Sequence, residues 1–209
     1  MYRSLAIPFL CLTSALFSRH NIVSAKSLSY STYNTEAGTV SSLNQTAYLG
    51  HWYQMYANLA VDITFENHSL CDSADYGIYP NKTISVFNRE RQYNVTGPER
   101  QIRGWADTPD PSQPGQLQVH LQTGSGGSDG FPAPYWVYQL GPIGDDGLYR
   151  YSIVSDPFKF TLFVLARNVS EFYSEWNELV LDWLDTNGFN TFYNAPIKTE
   201  QVGCKPMPN

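Results

Sequence analysis

The side chains whose types could do chemistry in this sequence are three cysteines, four histidines, one Gly-x-Ser-x-Gly string and an adjacent pair of aspartates. The string GGSDG (126–130) has the form of a nucleophile elbow, which needs a strand before it, a helix after it and a histidine later in the chain. It lies instead in a glycine-rich stretch, and His20, His51, His68 and His120 all precede Ser128, so no general base follows in order. The same histidines lack metal-ligand spacing, and Asp145 and Asp146 sit in a turn-forming segment that favours solvated carboxylates over acid–base work. No catalytic residue, metal site or cofactor is expected.

The remaining chemistry is that of export. Arg3, the apolar run LAIPFLCLTSALF (5–17) and the small-residue step Val23-Ser24-Ala25 form a secretory leader over residues 1–25, too short and too interrupted by Pro8 to span a bilayer. Cys11 leaves with it. Cys71 and Cys204 are then an even pair with a single connectivity, and in an oxidising compartment they should form one disulfide. Five Asn-x-Ser/Thr acceptors, Asn44, Asn67, Asn81, Asn94 and Asn168, fit the same secreted, extracellular route. A formal charge of -6, with 13 Lys and Arg that do not cluster, argues against a nucleic-acid partner. No later segment is apolar for long enough to cross a membrane.

These residues must be positioned by strands. After a Ser-, Thr- and Tyr-rich lead-in (26–45), read as flexible, the chain offers short β-prone runs between turn residues: WYQMYA (52–57), ADYGIY (74–79), TISVFN (83–88), QYNVT (92–96), QIRGWA (101–106), QLQVHLQ (116–122), YWVYQL (135–140), YRYSIVS (149–155) and FTLFVLAR (160–167). QYNVT is either a separate strand or one that merges with the next across Gly97-Pro98. Sequential antiparallel strands that close on themselves lose their exposed edges, so an all-β, up-and-down barrel is expected over residues 46–204, with a tail at 205–209. One amphipathic helix is expected from an N-cap at Ser170 to a stop at Gly188, its stripe of Trp176, Leu179, Val180, Trp183 and Leu184 buried on the outside of the barrel.

The order of Gly50, Trp52 and Tyr53, TFEN (64–67) before Cys71, TISVFN, APYW (133–136), YRYSIVS, the arginine of FVLARN (Arg167) and TEQVGC (199–204) resembles the lipocalin family, closest to apolipoprotein D and the bacterial outer-membrane lipocalins. The resemblance runs from about Tyr48 to Cys204, and GDDGLYRY (144–151) is a loose form of the family's second motif, with Asp146 and Tyr149 in its places. It implies an eight-stranded antiparallel lipocalin barrel with one C-terminal helix outside it. It also implies that Trp52 plugs the closed end while Arg167 crosses its indole face. Tyr76, Ile84, Val86, Asn88 and Phe163 would face a ligand, and Thr161 and Leu165 share the parity of Phe163.

The function implied is that of a secreted, monomeric carrier of a small hydrophobic ligand, such as a fatty acid, lysophospholipid, sterol, retinoid or carotenoid. The loops 58–70, 92–99, 123–134 and 156–159 would ring the mouth. Two other classes stay open: a lipid- or pigment-modifying enzyme on the same scaffold, and an interaction module using the loop rim. Family members with synthase activity use a free cavity cysteine, which a Cys71–Cys204 pair would leave this chain without.

Overall fold

The computed structural model describes residues 38–122 and 132–207. The leader, the lead-in before residue 38 and the GGSDG string lie outside them. Eight strands follow one another in the chain: β1 (Gly50–Ala57), β2 (Leu70–Ile78), β3 (Ile84–Arg91), β4 (Glu99–Asp107), β5 (Gln116–Leu121), β6 (Ala133–Leu140), β7 (Tyr151–Ser155) and β8 (Leu162–Ala166). Each pairs antiparallel with the next, and β1 pairs with both β2 and β8, so the sheet closes into a barrel. A two-residue β9 (Ile197–Lys198) adds to β1 opposite Tyr56 and Ala57.

Strand alternation gives the wall two apolar faces. Trp52, Ala74, Tyr76, Ile84, Val86, Ala106, Leu117, Val154 and Leu165 pack inward. Met55, Tyr138, Tyr151, Ile153, Leu162, Val164 and Ala166 pack outward, against Phe172, Val180, Trp183 and Leu184. Those last residues belong to a helical segment made of α3 (Val169–Glu171), a π turn (Phe172–Trp176) and α4 (Asn177–Thr186). A sheet buried on both faces explains why strands such as YSIVS and LFVLA read as nearly continuous apolar runs.

Several boundaries differ from the sequence reading. QYNVT is not a strand: β3 and β4 pair without interruption out to Arg91 opposite Glu99, which makes 92–98 their connecting loop. Its β-branched residues lose to turn chemistry, because the Asn94 side chain accepts from both the N–H and the hydroxyl of Thr96 at 3.0 and 2.9 Å. The last strand begins at Leu162, because the Asp156 carboxylate takes the N–H groups of Phe158 and Thr161 at 2.8 and 2.6 Å. The helical segment starts two residues early, its N-cap being Asn168, whose side chain accepts from the Glu171 N–H at 3.0 Å. Gly188 does end it, in the left-handed region at φ +84°. Part of the stretch read as lead-in is docked: the Val40 N–H donates to the Val137 carbonyl at 2.9 Å, and Leu43 packs on the inner cluster.

Cys71 and Cys204 are disulfide-bonded across a separation of 133 residues. The bond holds a tail laid over β1 to β3, where Arg91 donates to the Lys205 and Pro206 carbonyls at 3.2 and 3.0 Å. No helix among the described residues is long and apolar enough to cross a membrane.

Candidate functional site

The site is a cup with one sealed end. Asn44 caps the short helix α1 (Gln45–Tyr48), whose last residues cross the bottom of the barrel beside Trp52, fully buried at the start of β1. The Trp52 indole N–H donates to the Tyr48 carbonyl at 2.9 Å. Over the other side of the indole lies the Arg167 guanidinium, 3.6 Å from the ring. Its nitrogens donate to the carbonyls of His51 at 2.6 Å, Leu49 at 2.7 Å, Ala47 and Tyr48 at 3.1 Å and Tyr149 at 3.3 Å. Burial lowers its pKa to about 10, so it remains a cation at neutral pH. The stack therefore combines cation–π attraction with satisfaction of carbonyls that would otherwise be stranded under the barrel. Gly50 is required here twice, once for its φ of +97° and once because a Cβ would lie 3.3 Å from an Arg167 nitrogen. Tyr53 faces outward and packs with the outer cluster.

Above this floor is a cavity of about 950 Å³. Tyr48, Tyr76 and Tyr135 meet at its base in a hydroxyl relay: Tyr48 to Tyr135 at 2.8 Å, Tyr135 to Tyr76 at 3.1 Å, and Tyr48 to Ser152 at 2.9 Å. Burial raises all three phenol pKa values, that of Tyr76 to about 12, so they stay neutral and able both to donate and to accept. The middle walls are apolar, with Ile84, Val86, Leu117, Val154 and Leu165 among them. An enclosed, aromatic and aliphatic cup with a few polar groups at its base is the form of a small-molecule binding site.

A model of the lipocalin-like domain matches residues 43–192. The chain belongs to the lipocalin family. No curated protein matches it. Among solved structures, lobster apocrustacyanin A1 is similar at a TM-score of 0.50 and 18% identity, over 77% of this chain and 81% of that one. A biogenic amine-binding protein is similar at a TM-score of 0.54 and 17% identity, over 83% and 90% of the two chains. At such identities the likeness is one of fold.

All seven positions that the sequence assigns to the lipocalin cup, Tyr76, Ile84, Val86, Asn88, Thr161, Phe163 and Leu165, line the cavity. The Thr161 hydroxyl is already committed to Asp156 at 2.8 Å. In the second motif, Asp146 forms an ion pair with Arg150, while Tyr149 turns under the floor and accepts from the Asn44 N–H at 3.1 Å. His20 lies outside the described residues, and the three described histidines serve elsewhere: His51 bonds Asp75 at 2.8 Å on the outer wall, His68 pairs with Asp62 at 2.7 Å, and His120 stacks on Trp105 at 3.7 Å. All five sequon asparagines are exposed.

An acidic corner on the mouth side escaped the sequence reading. Glu66, from the π turn Asp62–Glu66 that follows α2 (Leu59–Val61), lines the cavity with Asp72, Glu90, Gln54 and Arg100. Gln54 donates to Glu66 at 3.0 Å, Ser69 to Asp72 at 2.6 Å, and Arg100 pairs with Glu90 at 2.6 Å. Burial, reinforced by the neighbouring carboxylates, raises the pKa of Glu66 well above the usual range and that of Asp72 to about 7. Asp72 shares the parity of Tyr76 and Ala74, and Glu90 that of Val86 and Asn88, but both lie toward the mouth beyond the positions assigned from the family resemblance, and the irregularity between Leu70 and Ser73, with Cys71 at φ +61°, lies beside Asp72.

Proposed function

We propose that this lipocalin is a secreted carrier that binds a small hydrophobic ligand reversibly in its cup, the class spanning fatty acids, lysophospholipids, sterols, retinoids and carotenoids. The observation that carries the reading is the cavity of about 950 Å³, sealed below by Trp52 and Arg167 and walled by apolar side chains. Burial of apolar area, at about 25 cal/mol per Å², supplies the driving force, and the tyrosine relay orients a polar end. Tyr76, Ile84, Val86, Asn88, Thr161, Phe163 and Leu165 are the proposed contacts. Export through the leader at 1–25, glycosylation at the five exposed sequons, an apolipoprotein D-like branch and a monomeric state belong to the same proposal, and the Cys71–Cys204 disulfide supports the export. Family members are typically binding proteins, and the binding reading is taken for this cup as well.

Titration of intrinsic fluorescence with a fatty acid, a retinoid and a sterol tests it. Saturable quenching is expected, and Val86→Trp, which fills the middle of the cup, should weaken it by about tenfold or more. No saturable change with any apolar probe, neutral or charged, would overturn the carrier reading.

A further inference from the structure

We propose that the ligand carries a protonated nitrogen: an alkyl or aromatic amine whose apolar body lies in the cup and whose ammonium group sits at the corner formed by Glu66, Asp72 and Glu90. This rests on the carrier reading and narrows its ligand class.

Alternate residues of β3 run Ile84, Val86, Asn88, Glu90, and the matching inward residues of β2 run Tyr76, Ala74, Asp72. Above the tyrosine relay the wall therefore grades from apolar to amide and carboxylate near the mouth, and the four residue steps from Val86 to Glu90 span roughly 13 Å of strand. That gradient fits a molecule with an apolar body and one charged end. The sign of the charge follows from the groups facing the corner. Three carboxyl groups line it, with Asp62 near enough to raise the proton affinity of Glu66; Arg100 is already paired with Glu90, and Glu66 and Asp72 hold protons that an incoming cation would displace. Arg89, on the neighbouring register position, directs its guanidinium to Asp75 at 2.6 Å and to the Met207 carbonyl at 3.2 Å.

A second, independent observation asks for a donor. Asp72 is only 6% exposed and lines the cavity, yet while its Oδ1 accepts from Ser69, its Oδ2 has no hydrogen-bond partner. Asn88 Oδ1, one step deeper in the same cavity, is buried without a partner as well. Both are acceptors, and an ammonium group brings several N–H donors and a positive charge together. A bare metal ion is a poorer match, because among the described residues no three His, Cys, Asp or Glu side chains gather closely enough to hold one.

Calorimetric titration of the full, disulfide-intact chain with decylammonium, decanol and decanoate, each below its aggregation concentration, separates the possibilities. Decylammonium should bind about tenfold or more tighter than decanol, with decanoate weakest. In the Glu66→Gln/Asp72→Asn double variant the affinity ratio of amine to alcohol should fall to near one. The wild-type chain supplies a measurement that does not depend on a variant folding: the same ratio should rise as pH increases through about 7, where Asp72 loses its proton, while decylammonium stays charged. Equal affinity for all three probes, or a preference for decanoate that would assign the corner to Arg100, overturns the amine proposal and leaves the carrier intact. Saturable binding of none of them overturns both.

Discussion

Arg167 shows how much one side chain at the floor controls. It covers the Trp52 face and serves five carbonyls from β1, α1 and the turn before β7, which no other residue type could do at once, because only a planar fork both stacks and donates in several directions. Arg167→Ala should cost about 3 kcal/mol in urea unfolding, mostly by leaving buried carbonyls unpartnered, and Arg167→Lys should recover less than half of the loss. At the opposite end, Asp72 makes a prediction with a definite sign. Burial raises its pKa from 3.8 unfolded to about 7 folded, so between those values the folded chain holds a proton that the unfolded chain has released. Stability therefore falls as pH rises across that window and levels off above it. Asp72→Asn should leave Tm nearly unchanged at pH 4 and raise it by about 3 °C or more at pH 8, measured by thermal scans. Glu66, raised in the same direction, keeps part of the slope in the variant.

Among the elements, the helical segment on the outer wall begins with a residue that has two claims on it. The Asn168 side-chain oxygen caps α3, while its sequon offers the same side chain's nitrogen for glycosylation. Asn168→Ala should lower stability by about 1 kcal/mol relative to the deglycosylated chain, since it removes the cap as well as the glycan site. Asn168→Asp should keep the cap and abolish modification, so unfolding of deglycosylated protein beside these two variants separates the contributions; equal losses in both would contradict the capping role. The strands show a related economy. Where an inward or outward residue is needed out of step, the chain inserts an irregularity, as between Gln54 and Tyr56 in β1 and between Leu70 and Ser73 in β2.

For the whole molecule, closure of the sheet and anchoring of the tail are separate devices. β1 joins β2 and β8 through its own ladder, whereas the disulfide pins the segment beyond β9 across β2 and β3. Reduction should therefore lower stability by about 3 to 5 kcal/mol, through the freed 133-residue loop, without opening the cup. Denaturant unfolding with and without reductant measures the first effect, and retained saturable quenching by an apolar probe the second. Loss of ligand response on reduction under native conditions would show that the tail also shapes the cavity.

What the sequence by itself determined was whatever depends on local pattern and composition. Short β-prone runs between turn residues specified the strands, the order of Gly50, Trp52, Tyr53 and Arg167 pointed through the family resemblance to the sealed barrel, and the same resemblance placed Tyr76, Ile84, Val86, Asn88 and Phe163 on the inner wall, with strand parity adding Thr161 and Leu165. Local competition removed one short run and moved one boundary: Asn94 turned QYNVT into a loop, and Asn168 displaced Ser170 as the cap. The tertiary structure alone decided which distant polar side chains share a space. Glu66 lies in a helical turn, Asp72 beside a bulge and Glu90 at a strand end; strand parity reaches the last two, but no periodicity links Glu66 to them. Their proximity, and the raised proton affinity that follows from it, exists only because barrel closure brings the start of β2, the end of β3 and the loop after β1 to one corner and removes water from it.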